Sequence, residues 1–352
     1  MIRIGVIGCG YWGPNLVRNF SESEAFELVT CCDLDPKRLL RIGRRYPALH
    51  LTKEANVILE DPTIDAVAIA TPLRTHYELA KAALEKGKHV FLEKPMAATA
   101  EQASELVELA EKHDRKLMVD HIFVYTSAVR KIKELIDQGE LGEVYYFDSV
   151  RINLGLFQHD VNVVWDLAIH DLSIIDFLFQ RNPSSISALG VCHTGVNGHE
   201  NIAYVALMFE DTVIAHIHVN WLAPAKVRTT LIGGSKKMIV YDDTEPSEKL
   251  KVYDKGIQLT QGEGIYKTLI DYRTGDMYAP KLDQAEGLKT AVDHFADCIL
   301  HHKMPLTDGR VGLRIVRILE AIQRSMKNQG RIEKIWSPEE VATTIKAAGE
   351  IA

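Results

Sequence analysis

The 352-residue chain is 46% hydrophobic and 25% charged, with a formal net charge of −7. That length exceeds what one hydrophobic core usually supports, so two domains of an ordinary soluble protein are expected. The acidic balance argues against a protein that coats nucleic acid, and no run approaches the roughly 18 apolar residues a membrane helix needs.

The chain opens with a predicted strand, Ile2–Ile7, that runs directly into a glycine-rich turn and lacks the layout of a secretory leader. Five cysteines, Cys9, Cys31, Cys32, Cys192 and Cys298, make an odd set without C-x-x-C. A reducing, cytoplasmic setting is therefore expected. The turn, Gly8-Cys9-Gly10-Tyr11-Trp12-Gly13, matches G-x-G-x-x-G and leads into a predicted helix, Pro14–Ser21. The pattern alone is weak. Here it lies between strand and helix, and Asp33 stands 20 residues beyond Gly13 at the end of the next predicted strand, Phe26–Cys32. That is the spacing of a dinucleotide fold's ribose-binding acid. Gly8 would permit the tight turn, Gly10 the approach of a pyrophosphate, and Gly13 close packing of helix on strand, while the helix N-terminus offers free N–H groups to the anion. Tyr11 and Trp12 fall within the same loop. Asp33 would bond both ribose hydroxyls and repel a 2′-phosphate, favouring NAD over NADP; Lys37 and Arg38 are near enough to soften that preference.

Alternation continues with a strand at Asp65–Thr71, a helix around His76–Glu85, a strand at His89–Leu92, a helix around Thr99–His113 and a strand at Leu117–Asp120. Strand and helix in turn predict a parallel sheet of right-handed crossovers. Thr71, Pro72 and His76 lie just past a strand end, where such a sheet holds its ligands. Glu93-Lys94-Pro95 follows another. A lysine there can hydrogen-bond a reacting oxygen and stabilise developing alkoxide charge; read alone, it is equally a solvated surface lysine.

After about residue 122 the pattern changes. A helix near Ser127–Gln138 precedes a β-rich region that starts at Glu143–Asn153 and is interrupted by one helix, about Val163–Phe179. Further predicted strands are Ser185–Val191, Ala203–Phe209, Val213–Trp221, Val227–Gly233 and Lys237–Tyr241, with Glu210-Asp211 at hairpin spacing. Consecutive strands without helices between them predict a mostly antiparallel sheet. The tail reads as helices at Gln284–His302, Val311–Asn328 and Pro338–Gly349, the last opened by the capping pattern Ser337-Pro338-Glu339-Glu340. The expected division is 1–122 for the dinucleotide domain and 123–352 for an α+β domain for substrate binding and assembly, whose final helices could pack back on the first.

Within the interrupting helix, Asp166 and His170 are i and i+4 and share a face. The carboxylate can orient the imidazole, which can then take the proton of a substrate hydroxyl as hydride leaves carbon. The bland reading is a surface ion pair. His216 and His218 alternate onto one face of a strand; a sheet face or subunit interface is favoured over a metal pair, and no metal is expected.

In this order, G-x-G-x-x-G, Asp33, Glu93-Lys94-Pro95 and Asp166-x-x-x-His170 resemble the glucose–fructose oxidoreductase/inositol dehydrogenase (Gfo/Idh/MocA) family, over essentially the whole chain. The resemblance implies an α/β protein: an N-terminal Rossmann domain and a C-terminal domain with a large open-faced sheet, the substrate lying between that sheet and the nicotinamide. It implies NAD as cofactor, Lys94 as the donor to the reacting oxygen, His170 as base and Asp166 as its orienting partner. Glu93 and Pro95 would line the nicotinamide site, with Trp165 beside it. Homodimers or homotetramers through the sheet are implied. One run departs: Asp120-His121-Ile122-Phe123-Val124-Tyr125 stands where many members have an Asn- or Arg-containing run.

Two longer stretches, Tyr11–Phe20 and Asp160–Leu167, look like nucleotide-sugar 3-dehydrogenases. They imply oxidation at C3 of a UDP-N-acetylglucosamine or its uronate, feeding a partner aminotransferase. Asn153 and Asn162 would then bond sugar hydroxyls, and Arg151 and Arg228 would meet a phosphate or carboxylate. A dehydrogenase of free polyols or monosaccharides uses the same trio. A non-catalytic NAD-binding regulator is a third reading, and the intact Lys94, Asp166 and His170 speak against it.

Overall fold

The computed structural model describes residues 1–155, 160–194, 198–210, 212–261 and 268–336. The Asp211 half of the expected hairpin turn, and the predicted cap and helix from Ser337 to Gly349, lie outside the described residues. The chain forms two compact units: 1–129 with 283–317, and 130–282 with 318–352.

The first unit runs β1 Ile2–Ile7, α1 Gly13–Glu22, β2 Phe26–Cys32, α2 Pro36–Arg45, β3 His50–Thr52, α3 Asn56–Leu59, β4 Ala66–Ile69, α4 His76–Glu85, β5 His89–Leu92, α5 Ala100–Lys112 and β6 Leu117–Val119. Its strands pair in the order β3-β2-β1-β4-β5-β6, all parallel. The order reverses between β1 and β4, which is where an open α/β sheet leaves its ligand crevice. β4 is buried along its whole length, and β5 at three of four positions, as expected of strands covered on both faces. The short elements α2, β3 and α3 were not anticipated. Yet α2 has a legible start: Asp35 accepts from the Lys37 N–H at 2.8 Å with Pro36 at the first position.

The second unit takes α6 Ser127–Asp137 from its fourth residue and then β7 Val144–Leu154, α7 Ile169–Phe179, β8 Ser185–Val191, β9 Ile202–Met208, β10 Ile214–Asn220, β11 Leu222–Gly234, β12 Met238–Asp242, β13 Leu250–Tyr253, the hairpin β14 Gly256–Gln261 and β15 Thr268–Arg273, and β16 Met277–Tyr278. With β17 (Glu333–Lys334) it forms a nine-stranded sheet, β16-β13-β12-β11-β7-β10-β9-β8-β17, in which β7 and β10 are parallel and the other pairs antiparallel. One face is apolar: Ala203, Val205 and Leu207 of β9 and Ala215, Ile217 and Val219 of β10 are buried. On that side Phe179 of α7 meets Phe147 and Phe209 edge-on, with ring centroids 6.2 and 5.7 Å apart. The other face is open. It carries Leu189, Val191, Tyr204 and Ile214, each 47–57% exposed, and the pair His216 and His218. His216 bonds Asp148 at 2.9 Å and Tyr204 stacks on His218 at 4.3 Å.

α8, Gly287–Leu300, belongs to the first unit, where its Phe295 packs between Phe26 and Phe91. α9, Gly309–Lys327, begins in the first unit and ends in the second. Among the described residues no helix is long and apolar enough to cross a membrane. All five cysteines are free, and Cys9, Cys31, Cys32 and Cys298 are buried.

Candidate functional site

The glycine loop follows β1. Gly8 has φ +99°, and a Cβ there would lie 2.4 Å from the Ala70 carbonyl oxygen. Only glycine fits both the left-handed turn and that approach to the end of β4. A Cβ at Gly10 would meet nothing nearer than the Arg38 guanidinium at 3.5 Å, so the loop's bare backbone faces open space. That is a cradle for a pyrophosphate, with the α1 N-terminus behind it. Asp33 is buried at the end of β2, accepting from the Cys9 N–H at 2.7 Å and the Asp35 N–H at 2.8 Å. Both bonds fix the carboxylate's orientation beside the loop. Arg38 stands 3.5 Å from it. These residues fit a dinucleotide with a free 2′-hydroxyl: NAD would take its pyrophosphate at Gly8–Gly13 and its ribose at Asp33.

The strand ends carry the remaining first-unit residues. Tyr11 is exposed, and Pro72 is exposed beside half-buried Thr71. His76 is buried, one ring nitrogen 2.7 Å from the Pro95 carbonyl and the other 2.8 Å from the Thr71 carbonyl. It thus staples the turn after β4 to the turn after β5, shaping the site through backbone. Glu93 is buried, Lys94 is half-buried, and Pro95 follows through a cis bond. Trp12 directs its indole N–H to Asp120 Oδ2 at 3.3 Å. The sequence marks Asp120 only as the start of the departing run and gives it no role, since its partner lies 108 residues away. Burial, and then the charge of Asp120, push the Glu93 carboxyl well above the usual range; burial raises Asp120 too. Burial, with Lys94's charge adding to it, lowers the neighbouring His121 to about 3.

In the second unit the expected helix over Val163–Phe179 begins instead with a π turn, Val164–Ala168, before α7. Asn162 caps this segment: its side-chain oxygen accepts from the N–H groups of Val164 at 3.1 Å and Trp165 at 3.2 Å, and its amide donates to Glu200 at 2.9 Å. Asn162 is buried, with both ends of its amide engaged. Instead of standing open for a sugar hydroxyl, its amide caps the segment that carries Asp166. π turns of this kind recur at functional sites. From Asn162 to Ile175 every residue is buried except Asp166 and His170. Asp166 Oδ2 accepts from the indole N–H of Trp221 at 3.1 Å, a fully buried tryptophan that sequence reasoning did not single out.

Other expectations change. Trp165 is buried, and its indole N–H donates to Gln323 at 3.2 Å. Arg151 and Arg228 meet carboxylates, but the chain's own. Arg151 is a buried two-point partner of Asp171, at 2.9 and 3.0 Å, which Ser149 also bonds at 2.8 Å; Arg228 pairs with Asp243 at 3.1 Å. Asn153 retains a buried side-chain oxygen that no donor meets among the described residues.

Residues 2–121 match the model of the oxidoreductase family with an NAD-binding Rossmann fold, and residues 129–240 match the GFO/IDH/MocA C-terminal domain. The uncharacterized oxidoreductase YdgJ of Escherichia coli strain K12 is 31% identical over 261 residues, covering 70% of this chain and 73% of that protein. The chain belongs to the Gfo/Idh/MocA family of NAD-binding oxidoreductases. Another relative in the family, a D-apiose dehydrogenase of Paraburkholderia graminis, is 24% identical over 98% of this chain and 93% of its own length. The solved structure of a UDP-N-acetylglucosamine 3-dehydrogenase from Acidithiobacillus ferrooxidans is similar in fold, with a TM-score of 0.79 at 21% identity, over 93% of this chain and 98% of that one. The matched family binds NAD, and the glycine loop and Asp33 lie within the residues its model matches.

Proposed function

We propose that this chain is a dehydrogenase that takes hydride from a secondary hydroxyl of a sugar, and that its substrate is a UDP-N-acetylhexosamine or its uronate oxidised at C3. The observation that carries the reaction type is the selective exposure of Asp166 and His170 along an otherwise buried segment. A carboxylate and an imidazole left accessible there, one of them held by Trp221, are set up for proton transfer rather than for packing.

In this reading NAD, when bound, supplies the hydride acceptor. Lys94 donates a hydrogen bond to the reacting oxygen and offsets the charge that develops on it. His170 takes the hydroxyl proton, and Asp166 holds the imidazole and stabilises its cation. The open face of the nine-stranded sheet, with its exposed Leu189, Val191, Tyr204 and Ile214, is the surface through which we expect copies of the chain to assemble.

A second reading, a dehydrogenase of free sugars or polyols, is favoured by the internal pairing of Arg151 and Arg228, which takes two cations away from a diphosphate. The D-apiose dehydrogenase relative points the same way. The deciding experiment follows nicotinamide absorbance as the purified protein meets NAD with UDP-N-acetylglucosamine, its uronate, or a panel of free sugars and inositols. Reduction with the UDP-sugars alone supports the nucleotide-sugar reading. Reduction with free sugars alone replaces it with the second, and no reduction with any of them removes both.

A further inference from the structure

β5 and β6 run parallel with Leu92 opposite Val119, and the Asp120 N–H continues the ladder to the Leu92 carbonyl at 2.8 Å. Glu93 and Asp120 therefore leave the sheet side by side at its C-terminal edge, with their carboxyls within hydrogen-bonding reach. They are 9% and 2% exposed. Trp12, from the glycine loop, satisfies Asp120 Oδ2. Asp120 Oδ1 and Glu93 Oε1 are buried and meet no donor among the described residues. Two ionised carboxylates in that position would repel each other and leave both oxygens unmet; one proton between them resolves both problems.

We propose that Glu93 and Asp120 share one proton at the Glu93-Lys94-Pro95 turn, and that Glu93 releases it to solvent when the oxidised, cationic cofactor is bound but keeps it with the reduced, neutral one. The step balances: the Glu93 O–H bond breaks, the proton leaves to water, and the pair passes from one negative charge to two as a positive ring arrives beside it. The charged and titratable neighbours are Lys94, whose cation acts on both carboxyls, and His121, which burial keeps neutral to about pH 3. Asp120 acts here as a positioning residue, and Trp12 ties it to the cofactor loop. This inference rests on the placement of the nicotinamide at that turn and not on which substrate is oxidised.

Calorimetric titration of the full chain near neutral pH, in two buffers of different ionisation heat, counts the protons exchanged on binding. We expect NAD+ to release a large fraction of a proton per site and NADH none. NAD+ affinity should then rise with pH by up to about tenfold per unit, the limit for one proton. E93Q has no proton to give, and in D120N the new amide donates to an ionised Glu93, so both variants should bind NAD+ without release. Equal release with NAD+ and NADH, or release unchanged in E93Q, overturns the proposal. The infrared carbonyl band of a protonated carboxyl should persist in the free wild-type protein at neutral pH, and its absence would overturn the shared proton even if neither variant folds. A protein that oxidises a sugar but shows no such release or band defeats this inference alone; one that shows both but oxidises no sugar defeats only the functional reading.

Discussion

The indole N–H of Trp221 donates to Asp166 Oδ2 at 3.1 Å from a fully buried ring, across 55 positions of sequence. A Cβ at Gly155 would lie 2.7 Å from that ring, so this position must stay small for the tryptophan to sit where it does. A charge-assisted bond of this kind contributes about 1.5–3 kcal/mol. W221F keeps most of the apolar volume and removes the donor. We predict a fall in kcat/KM of roughly ten- to a hundredfold and a shifted pH profile, with NAD affinity unchanged. Steady-state kinetics across pH beside NAD titration checks this. An unchanged profile would mean that Trp221 does no more than fill space.

Asp171 adjoins His170 but faces inward to Arg151, the two side chains being 0% and 3% exposed. Removing one member of such a pair strands the other charge in the core. D171A should destabilise the fold by about 3–5 kcal/mol, read as a lowered denaturant midpoint. A change below about 1 kcal/mol, the range of exposed pairs, would show that Arg151 finds water instead.

We predict that cofactor choice turns on Asp33. Its carboxylate accepts from the Cys9 and Asp35 N–H groups, and in the proposed reading it also accepts from a ribose hydroxyl. D33S should weaken NAD binding by roughly tenfold or more, the loss of a charged hydrogen bond, and raise the ratio of NADP to NAD affinity, since a 2′-phosphate then meets Arg38 without the Asp33 carboxylate, leaving Asp35 at 3.6 Å as its remaining anionic partner among the described residues. Binding titrations with both cofactors measure it; an unchanged ratio would remove Asp33 from the ribose site.

The buried His121 gives the fold a pH dependence whose sign is fixed. Burial, with Lys94's charge, holds the ring's titration down to about 3, against about 6.5 in an unfolded chain. Between those values the unfolded state binds a proton that the native state does not, so stability falls on acidification. The contribution is complete above about pH 6.5 and is lost progressively towards pH 3, on the order of 2–3 kcal/mol over the first two units. H121F should flatten that limb of the stability curve. Glu93 acts in the opposite sense: its raised carboxyl keeps a proton that the unfolded chain loses above about pH 4.3, so its burial costs stability as pH rises, and E93Q should relieve that cost.

The parts of this site that were legible are those written in short-range rules. Gly8 is required by a left-handed turn against the Ala70 carbonyl, and Asp33 by one strand and one helix of fixed length. The alternation of β1, β2, β4, β5 and β6 with helices shows directly as apolar runs of period two or less. What escaped depends on partners distant in sequence. Trp221 and Asp120 are ordinary residues until the sheet brings them to Asp166 and Trp12. The π turn at Val164–Ala168 has the same side-chain pattern as an α-helix and shows only in the backbone, where the Ile169 N–H reaches the Val164 carbonyl. β13 and β16, four and two residues long, are too short for a periodicity to register.

Turnover and NAD binding are best measured together in K94A and H170Q, using the sugar that the wild-type protein oxidises. General acid–base and oxyanion contributions of this kind are worth about 10²–10⁴-fold each. Loss of turnover on that scale is expected in both variants, with NAD affinity retained. Near-normal turnover in either one would contradict the roles given to Lys94 and His170.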